Sequence, residues 1–429
     1  MAGDLYHVMP LDQPFDAVVT VPGSKSQTNR ALLLAALADG ASTLHGALFS
    51  DDTRVFVDSL QRLGFSVDAD EGAATICVQG RGGAIPATRA ELYVGNAGTA
   101  ARFLTAFLPL GRGEYLLDGS PRMRERPIGE LLDALAALGA DVRAVQGNGC
   151  PPVMVYAAGL PGGETVVDAE RSGQFLSALL MVAPYAQCDI TLRVAGSVAS
   201  PPYIAMTLAM MAEWGLPRVP EREDGRYAIA AGGRYRPMIY QVPPDASGAS
   251  YFLAAAAVTG GRVRVRGLGA ATDQGDLGFV DVLASMGCRV VRDGVDIELH
   301  GPERLSGIDL DMNAMSDMTL TLAAIAPFAD APVTIRNVAH IRHQETDRIA
   351  AAVAELRRLG AAIEERPDGL TIHPGPLHGA MLRTYDDHRV AMAFAITGLR
   401  VPGVVLEDPD CVAKTFPDYF ARLEAACTR

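Results

Sequence analysis

Ser24-Lys25-Ser26-Gln27-Thr28-Asn29-Arg30 is a short polar stretch that runs directly into the Ala/Leu-rich residues 31–37. The same succession occurs five more times along the chain. The other openings are Gly95-Asn96-Ala97-Gly98-Thr99, Arg171-Ser172-Gly173-Gln174, Asp245-Ala246-Ser247-Gly248, Asn313-Ala314-Met315-Ser316-Asp317 and Tyr385-Asp386-Asp387-His388-Arg389, and their apolar stretches are residues 103–110, 175–183, 251–258, 319–327 and 390–397. Each apolar stretch predicts a helix that is apolar on nearly every face and should therefore be buried all round.

After each apolar stretch, the sequence predicts a strand and then a second helix. This second helix ends in a large apolar residue followed by Gly. These endings are Leu63-Gly64, Leu138-Gly139, Trp214-Gly215, Met286-Gly287 and Leu359-Gly360, and the sixth copy ends near Leu423. Successive glycines lie 75, 76, 72 and 73 residues apart. An ordinary doubly wound sheet would not keep such a period. The sequence therefore predicts six copies of one α/β unit.

The polar openings coincide with helix N-termini, which present free backbone N–H groups and the positive end of the helix dipole. If the units fold so that these ends converge, they form a cleft suited to phosphate and carboxylate groups. The alternative is that Ser, Asn and Asp at these places only cap the helices, as we expect for Asp245. Capping does not explain the basic residues Lys25 and Arg30 in the first opening.

Length and composition limit the class of protein. The 429 residues predict about two domains, so six units divide into three plus three. A hydrophobic content of 49% with 20% charged residues is typical of a soluble globular protein. No apolar run reaches the roughly 18–20 residues of a membrane span. The N-terminal residues 1–7 have no basic segment leading into an apolar one, so we expect no signal peptide.

The six cysteines are scattered, without a Cys-x-x-Cys pair or a Cys/His cluster. We therefore expect free thiols in a reducing cytoplasm, with neither a disulfide framework nor a zinc site. The formal charge of −13 argues against nucleic acid as a partner. Basic residues nevertheless gather in motif-like stretches, namely Lys25, Arg30, Arg122, Arg124, Arg126, Arg348, Arg389 and Lys414. This contrast favours a small, highly anionic substrate.

Several stretches carry candidate chemistry, each with a plainer alternative. Residues 22–30 lack the Gly-x4-Gly-Lys-Ser/Thr pattern of a P-loop, yet Lys25 can bind an anion at the helix start; the alternative is a solvated helix start. Residues 117–128 place three arginines in one loop, and clustered guanidinium groups suit carboxylate or phosphate binding. The alternative is an exposed charged turn. Glu345 and Arg348 are three residues apart at the start of a predicted helix, so the alternative to a site role is a surface ion pair. For Thr346 the alternative is that it caps this helix. Residues 386–389 lack further partners at metal-ligand spacing, so we expect no metal.

Together these stretches resemble the 5-enolpyruvylshikimate-3-phosphate synthase family. The resemblance rests on Pro22-Gly23-Ser24-Lys25-Ser26 with Asn29-Arg30, Gly95-Asn96-Ala97-Gly98-Thr99-Ala100-Ala101-Arg102, Pro121-Arg122-Met123 with Arg126-Pro127-Ile128-Gly129, Glu345-Thr346-Asp347-Arg348, Asp387-His388-Arg389 and Lys414-Thr415-Phe416-Pro417-Asp418-Tyr419-Phe420. Six motifs in the family's order, spread from about Val21 to Phe420, make the resemblance specific.

The resemblance implies a two-domain, inside-out α/β barrel of six repeats, three per domain, with buried parallel helices and an active-site cleft between domains that close on substrate. It implies an N-terminal domain of residues 22–241 and a C-terminal domain of residues 1–21 and 242–429. The chain itself offers Thr20-Val21-Pro22-Gly23 and Tyr240-Gln241-Val242-Pro243-Pro244 as crossings, because Pro forces extended backbone on its predecessor.

The implied reaction transfers the enolpyruvyl group of phosphoenolpyruvate to the 5-hydroxyl of shikimate 3-phosphate and releases phosphate, without a metal or organic cofactor. By resemblance the catalytic residues are Asp317 (the base), Glu345 (the proton donor) and Lys25. The implied shikimate 3-phosphate ligands are Lys25, Ser26, Arg30, Ser172, Gln174, Ser200, Tyr203, Asp317, His340 and Gln344. The implied phosphoenolpyruvate ligands are Lys25, Asn96, Gly98, Arg122, Gln174, Arg348, His388, Arg389 and Lys414. Glyphosate is the implied inhibitor, and we expect a cytoplasmic monomer without membrane or nucleic-acid partners.

The chain departs from the family pattern at four positions. Gln344 replaces a usual Lys, His340 a usual Asn, Gly173 a usual Ser and Phe103 a usual Pro. Gln344 removes a cation near the phosphorylated substrate, so that either Arg342 or His343 compensates or the affinity for substrate is lower.

Three other functions stay open at this point. The first is the sister enzyme that acts on a UDP-linked N-acetylglucosamine, although the reactive Cys typical of its loop is missing from residues 120–127. The second is a paralogue that acts on another cyclic alcohol. The third is a non-catalytic anion-binding subunit, which would not need both Asp317 and Glu345.

Overall fold

The computed structural model describes residues 4–220, 225–269 and 273–428, which form a mixed α/β fold. The chain divides into two compact units, one of Gly23–Val242 and one of Met1–Pro22 with Pro243–Arg429. We call them the central unit and the terminal unit. Each is described by itself.

The helices of the described residues are α1 (Lys25–Leu37), α2 (Asp51–Arg62), α3 (Gly98–Phe107), α4 (Gly129–Ala137), α5 (Gly173–Val182), α6 (Pro202–Glu213), α7 (Ala246–Thr259), α8 (Phe279–Ser285), α9 (Thr319–Ile325), α10 (Arg348–Arg358), α11 (His388–Gly398) and α12 (Tyr419–Cys427). The strands are β1 (Leu5–His7), β2 (Asp16–Val19), β3 (Ala41–His45), β4 (Ser66–Asp70), β5 (Thr75–Gln79), β6 (Arg89–Tyr93), β7 (Arg112–Asp118), β8 (Asp141–Ala144), β9 (Val153–Ala158), β10 (Gly163–Asp168), β11 (Ile190–Ala195), β12 (Arg226–Ile229), β13 (Ile239–Gln241), β14 (Arg262–Val265), β15 (Arg289–Arg292), β16 (Ile297–His300), β17 (Asp309–Asp311), β18 (Val333–Arg336), β19 (Ala362–Arg366), β20 (Gly369–His373), β21 (Met381–Leu382) and β22 (Val405–Glu407).

The strands form small sheets that share one pairing pattern. The central unit contains the sheets β13-β3-β5-β4, β6-β7-β9-β8 and β10-β11-β12, and the terminal unit contains β15-β16-β14-β2, β17-β18-β20-β19 and β1-β22-β21. In each sheet one pair of strands is parallel and the remaining pairs are antiparallel. Every parallel pair needs a crossover connection, and helices α3, α5, α9 and α11 supply it in four of the six sheets.

The other two parallel pairs are made where the chain passes between the units. β2 leads into the central unit, yet it pairs with β14 of the terminal unit. β13 leads back into the terminal unit, yet it pairs with β3 of the central unit. At both crossings, the last strand before the crossing pairs within the unit that the chain is about to leave.

The helices that follow the six polar openings are α1, α3, α5, α7, α9 and α11. Nearly all of their residues are buried, on every face. The prediction of all-round burial is therefore confirmed.

The helix starts differ from the expected positions. α1 begins at Lys25, six residues before the apolar stretch, and α3 begins at Gly98. Phe103 is therefore the sixth residue of α3 and is fully buried; the expectation that it opens the helix is wrong. In α1, two of these polar residues bond within the fold: Thr28 Oγ1 donates to Ser24 O at 2.8 Å and Arg30 Nε donates to Thr207 Oγ1 at 2.8 Å.

Helices α2, α4, α6, α8 and α10 each end directly before the predicted large apolar residue, which is followed by the predicted glycine. Gly64, Gly139, Gly215, Gly287 and Gly360 all have φ between 87° and 101°. This left-handed conformation follows the last turn of a helix and is costly for any residue with a Cβ atom. The regular spacing of glycines thus has a backbone cause.

Within the described residues, no helix is both long enough and apolar enough to span a membrane. All six cysteines are free thiols.

Candidate active site

Arg348, the first residue of α10, is the centre of a charged cluster in the terminal unit. Its Nε and Nη2 atoms donate to Asp387 Oδ2 at 2.8 Å and Oδ1 at 3.2 Å. Nη1 donates to Asp317 Oδ1 at 3.0 Å, and Nη2 also donates to Glu345 Oε2 at 3.0 Å. Arg389 Nη2 donates to Asp317 Oδ2 at 2.7 Å, and Lys414 Nζ lies 3.7 Å from Glu345 Oε1. We call these six residues (Asp317, Glu345, Arg348, Asp387, Arg389 and Lys414) the arginine–carboxylate cluster.

Burial alone would lower the pKa of Arg348, whose side chain is only 3% exposed. The carboxylates of Asp387, Glu345 and Asp317 outweigh burial, so the pKa of this guanidinium is raised above its ordinary value. Such a cation keeps its charge at any working pH. It also provides donors in a rigid fork suited to carboxylate or phosphate.

The local sequence explains how Arg348 is positioned. Asp347 caps α10, with its Oδ1 accepting from Ala350 N at 3.0 Å. The expectation that Thr346 is the cap is therefore wrong, because the carboxylate one residue later takes that place. The alternative of an ion pair between Glu345 and Arg348 is confirmed at 3.0 Å, but its placement at the surface is wrong, since these side chains are 8% and 3% exposed.

Asp317 joins the cluster from a 3₁₀ turn, Asn313–Met318, which leads into α9. Its side chain is 20% exposed and accepts from two arginines, Arg348 and Arg389. Both candidate proton-transfer groups, Asp317 and Glu345, thus contact the same guanidinium. Asp317 is therefore held between two guanidinium groups while part of its carboxylate is still reached by solvent.

The departures from the family motif lie beside this cluster. Gln344 Oε1 accepts a hydrogen bond from Arg348 Nη1. His340 Nε2 lies 2.8 Å from Ser316 Oγ, next to Asp317. Burial is the main cause that lowers the pKa of His340 to about 4, with smaller contributions from Arg348 and His343 and an opposing one from Asp317. The imidazole is therefore neutral near neutral pH.

Arg342 does not replace the cation that Gln344 removes. It donates to both oxygens of Asp347 at 3.1 and 2.9 Å, to Glu365 Oε1 at 3.0 Å, and to the carbonyls of Pro367 and Arg366. These bonds turn its guanidinium towards the loop after β19. One of the two compensations expected from the sequence is thus wrong, because side-chain direction decides it.

Asp387 and His388 belong to the start of α11. Asp387 is fully buried and caps the helix, since its Oδ1 accepts from Arg389 N at 2.9 Å. His388 Nδ1 lies 3.7 Å from Asp387 Oδ1, and its side chain is 1% exposed. Asp387 therefore acts at once as a helix cap and as the two-point partner of Arg348.

Lys25 and Arg30 lie on α1 in the central unit. Lys25 Nζ is 3.2 Å from Asp52 Oδ2, on α2, with side chains 14% and 3% exposed. Arg30 is buried and donates to Thr207 Oγ1 at 2.8 Å, Ser26 O at 3.0 Å, Tyr203 O at 3.1 Å and Ser177 Oγ at 3.3 Å. These acceptors are neutral, and burial lowers the pKa of Arg30 to about 10.

Two aromatic rings face the guanidinium of Arg30. Its Cζ atom lies 5.3 Å from the ring centre of Phe103 and 5.7 Å from that of Tyr203. Both distances are within cation–π range. Phe103, which departs from the family pattern, therefore supports a predicted substrate ligand, and the structure brings Ser26, Arg30 and Tyr203 together.

The glycine-rich opening of α3 is held by a buried arginine. Arg126 Nη1 donates to Asn96 O at 2.8 Å and Asn96 Oδ1 at 3.0 Å. A Cβ atom on Gly98 would lie 2.6 Å from Arg126 Nη2, so a side chain there would displace the guanidinium. Arg126 thus fixes both candidate phosphoenolpyruvate ligands of this loop.

The three arginines of residues 117–128 have different environments. Arg126 is buried, Arg124 pairs with Asp118, and Arg122 is 34% exposed, with Nη1 2.9 Å from Glu125 Oε2. The loop is therefore neither a uniform anion site nor a uniform exposed turn. Arg122 and Arg124 both reach solvent, and Arg122 pairs with the exposed carboxylate of Glu125, an ion pair of the kind that a ligand can displace at little cost.

The remaining candidates lie at the starts of α5 and α6. Ser172 caps α5 by accepting from Gln174 N at 3.2 Å, so the capping alternative describes this residue. Gln174 Nε2 lies 3.5 Å from Thr99 Oγ1. Ser200 precedes α6 with φ 53°, a left-handed conformation that is uncommon for residues other than glycine.

Two carboxylates that pair with predicted site residues were not themselves among the site residues predicted from the sequence. Asp52 pairs with Lys25, and Asp387 pairs with Arg348 from 39 positions away. Asp387 stands at the cap position of an opening, which was the available signal. Within the described ranges, no group of three or more His, Cys, Asp or Glu residues is placed to hold a metal ion.

The chain matches the family model of EPSP synthase (3-phosphoshikimate 1-carboxyvinyltransferase) over residues 11–423. The chain belongs to this family. A 3-phosphoshikimate 1-carboxyvinyltransferase of Nostoc punctiforme is 54% identical over 419 residues, covering 98% of each chain. One of Shewanella denitrificans is 46% identical over 409 residues, covering 95% of each. The family resemblance inferred from the sequence motifs is thereby confirmed.

A solved EPSP synthase structure from Acinetobacter baumannii superposes with a TM-score of 0.80 at 24% identity, covering 98% of each chain. At this identity the likeness shows the fold. It supports the mixed α/β class predicted from the sequence.

Proposed function

We propose that this chain transfers the enolpyruvyl group of phosphoenolpyruvate to the 5-hydroxyl of shikimate 3-phosphate and releases phosphate. The observation that carries the proposal is the contact of Asp317 and Glu345 with one arginine, Arg348. The reaction needs a base for the hydroxyl and an acid for the methylene carbon, both beside cations that hold phosphate and carboxylate groups. Family membership, shown by the match over residues 11–423, supports the same activity.

In this mechanism Asp317 removes the proton of the 5-hydroxyl, which attacks C2 of phosphoenolpyruvate. Glu345 protonates C3, which gives a tetrahedral intermediate with one new C–O bond. Loss of phosphate and of the proton at C3 then restores the double bond. An anionic substrate at Arg348 and Arg389 would take over N–H groups that donate to Asp317. Substrate binding would thereby make Asp317 a better base.

Charge balance supports the use of residues from the central unit. The arginine–carboxylate cluster holds three cations (Arg348, Arg389 and Lys414) and three carboxylates. It therefore supplies no net positive charge for two phosphorylated, carboxylated substrates. We propose that Lys25 and Arg122, together with Asn96 and Gly98, complete the phosphoenolpyruvate site, with His388 and Gln174. The proposed ligands of shikimate 3-phosphate are Lys25, Ser26, Arg30, Ser172, Gln174, Ser200, Tyr203, Asp317, His340 and Gln344.

The inside-out α/β barrel of six repeats belongs to the same proposal. It is supported by the shared pairing pattern of the sheets and by the six buried helices. We further propose that the protein is a cytoplasmic monomer that needs no cofactor and is inhibited by glyphosate, in competition with phosphoenolpyruvate. The six free thiols support the cytoplasmic location.

The test is phosphate release by the purified protein, with both substrates and with each omitted in turn. We expect release that requires both, together with an enolpyruvyl ether product identified by NMR. UDP-N-acetylglucosamine in place of shikimate 3-phosphate is the control and should give none. Release with the UDP-linked sugar alone, or release without the phosphorylated acceptor, would contradict the proposal.

A further inference from the structure

Glu355 is a fully buried carboxylate on α10 to which the reaction assigns no role. Its Oε2 accepts from Arg383 N at 3.1 Å and from Arg358 Nε at 3.1 Å. Its Oε1 accepts from Tyr385 Oη at 2.6 Å. Two of these three donors belong to the short segment that leads into α11. A buried carboxylate therefore holds the opening from which Asp387, His388 and Arg389 project.

This opening has an unusual backbone. Tyr385 and Asp386 are consecutive residues with φ 58° and 53°. Left-handed conformations are uncommon outside glycine and cost free energy, more so for a bulky residue such as Tyr. Such a turn persists where surrounding contacts over-determine it. The Tyr385 hydroxyl bond to Glu355 and the Asp387 N bond to Thr384 O at 3.0 Å are contacts of that kind.

Helix α10 contacts this opening at two points on one face. Arg348 and Glu355 are seven residues apart, which is two turns or about 10 Å along the axis. Arg348 binds the carboxylate of Asp387, and Glu355 binds Arg383 and Tyr385. One rigid helix thus sets both the position of the guanidinium and the path of the backbone that carries its partner.

We infer that Glu355 and Tyr385 are positioning residues: they hold the left-handed turn at residues 385–386 so that Asp387 orients Arg348, and Arg389 reaches Asp317. This role rests on the proposed function, because Arg348 and Arg389 are proposed ligands of phosphoenolpyruvate. Burial, and secondly the bond to Glu355, raise the pKa of Tyr385 to about 12, so the phenol keeps the proton that it donates.

The variant that tests the role is Tyr385→Phe, which removes one hydroxyl from an exposed ring and should leave the fold intact. We expect the KM for phosphoenolpyruvate to rise about tenfold, the effect of losing one hydrogen bond to a charged group, with the KM for shikimate 3-phosphate unchanged. Tyr115→Phe is the matched control. It removes a hydroxyl bond of the same length, 2.6 Å to Ala87 O, in the central unit, and should alter neither constant.

Two further variants separate backbone strain from charge. Adding Asp386→Gly to Tyr385→Phe removes the left-handed penalty at one of the two residues and should restore most of the affinity. Adding Asp386→Ala removes the same charge but keeps a Cβ atom and the left-handed penalty, and it should restore little. Equal recovery with Ala and Gly would trace the effect to charge and overturn the inference.

A readout that needs no activity keeps this inference distinct from the proposed function. In protein labelled with 15N-arginine, the Nε proton of Arg348 should exchange slowly in the wild type, because it is buried and bonded to Asp387. It should exchange at least several-fold faster in Tyr385→Phe. Unchanged exchange together with unchanged kinetics would overturn the positioning role. An inactive wild type would refute the proposed function while the exchange measurement still decides the role of Glu355 and Tyr385.

Discussion

Arg348 donates two hydrogen bonds to Asp387, from Nε to Oδ2 at 2.8 Å and from Nη2 to Oδ1 at 3.2 Å. Both side chains are almost completely buried. This fork-to-carboxylate contact joins the start of α10 to the start of α11. Arg348→Lys keeps the charge but cannot form the fork. We expect the free energy of unfolding to fall by on the order of 3 kcal/mol, and kcat/KM for phosphoenolpyruvate to fall as well. Urea denaturation and steady-state kinetics measure the two effects.

Arg342→Lys is the control for that variant. Arg342 also binds a carboxylate, that of Asp347, but through Nη1 alone, which donates to both oxygens, and nearer the surface. Its change should cost within about 1 kcal/mol. If both variants cost the same, the buried geometry of Arg348 has no special importance.

The amide variants of the two proton-transfer groups should separate catalysis from binding. Asp317→Asn and Glu345→Gln keep side-chain size and an acceptor for Arg348 but cannot carry the proton. We expect turnover to fall by about 10²–10⁴-fold, with calorimetric affinity for shikimate 3-phosphate largely retained. Glu365→Gln, which removes a carboxylate paired with Arg342, is the control. Near-wild-type turnover in both amide variants would refute their assigned roles.

Gln344→Lys restores the cation that the family motif usually carries. Lys gains attraction for anionic ligands but loses the acceptor that Gln344 offers to Arg348. We expect tighter binding of shikimate 3-phosphate, in a salt-dependent manner because the gain is electrostatic. Gln344→Met, of similar length without charge or amide, isolates the loss of the acceptor. Unchanged constants in the Lys variant would show that nearby groups already replace the cation.

Phe103→Pro should change glyphosate inhibition more than it changes the KM for phosphoenolpyruvate. The ring lies under Arg30, and Pro at the sixth position of α3 removes a helical N–H donor. A shift of α3 would reach its N-terminal loop at Gly98, which the inhibitor would sense. Phe103→Leu keeps the donor and most of the apolar volume, and it should affect inhibition less. Inhibition constants of both variants, set against their KM values, are the measurement.

His340 should make stability depend on pH on the acid side. Because burial lowers its pKa from 6.5 to about 4, the unfolded chain takes up a proton first as the pH falls. Stability is therefore fully present above pH 6.5 and is lost as the pH falls towards 4. His340→Asn should lose less stability over this range, by on the order of 2 kcal/mol. Urea denaturation across the range tests this, with the exposed His7→Asn as control; identical curves for His340→Asn and wild type would contradict it.

The helices whose positions depend on the local order of apolar residues and glycines could be predicted from the sequence. The runs of Ala and Leu identified the buried helices, and the glycines after Leu63, Leu138, Trp214, Met286 and Leu359 marked the helix ends. Helix starts were placed too late, as at Phe103, because polar residues such as Thr28 and Arg30 bond inside the fold. Hydrophobicity carries no signal for those bonds.

The cations of the arginine–carboxylate cluster could be predicted from the sequence, but the carboxylates with which they pair could not. Basic residues in an acidic chain stand out, whereas Asp387 is one of 50 acidic residues. Its partnership with Arg348 spans 39 positions and depends on the folded path. The direction of Arg342 depends likewise on a turn whose geometry the sequence does not encode locally. Long-range pairing therefore sets the limit of what could be predicted at this site.

The five left-handed glycines have a consequence for engineering the protein. They follow the ends of α2, α4, α6, α8 and α10, whereas the charged cluster draws on residues at or near helix starts, Asp317, Arg348 and Asp387. Substrate preference could therefore be redesigned at the helix starts while these five glycines are left untouched. In a saturation library, the five should be among the positions that tolerate replacement least, and that subset recurs at intervals of 72 to 76 residues along the chain.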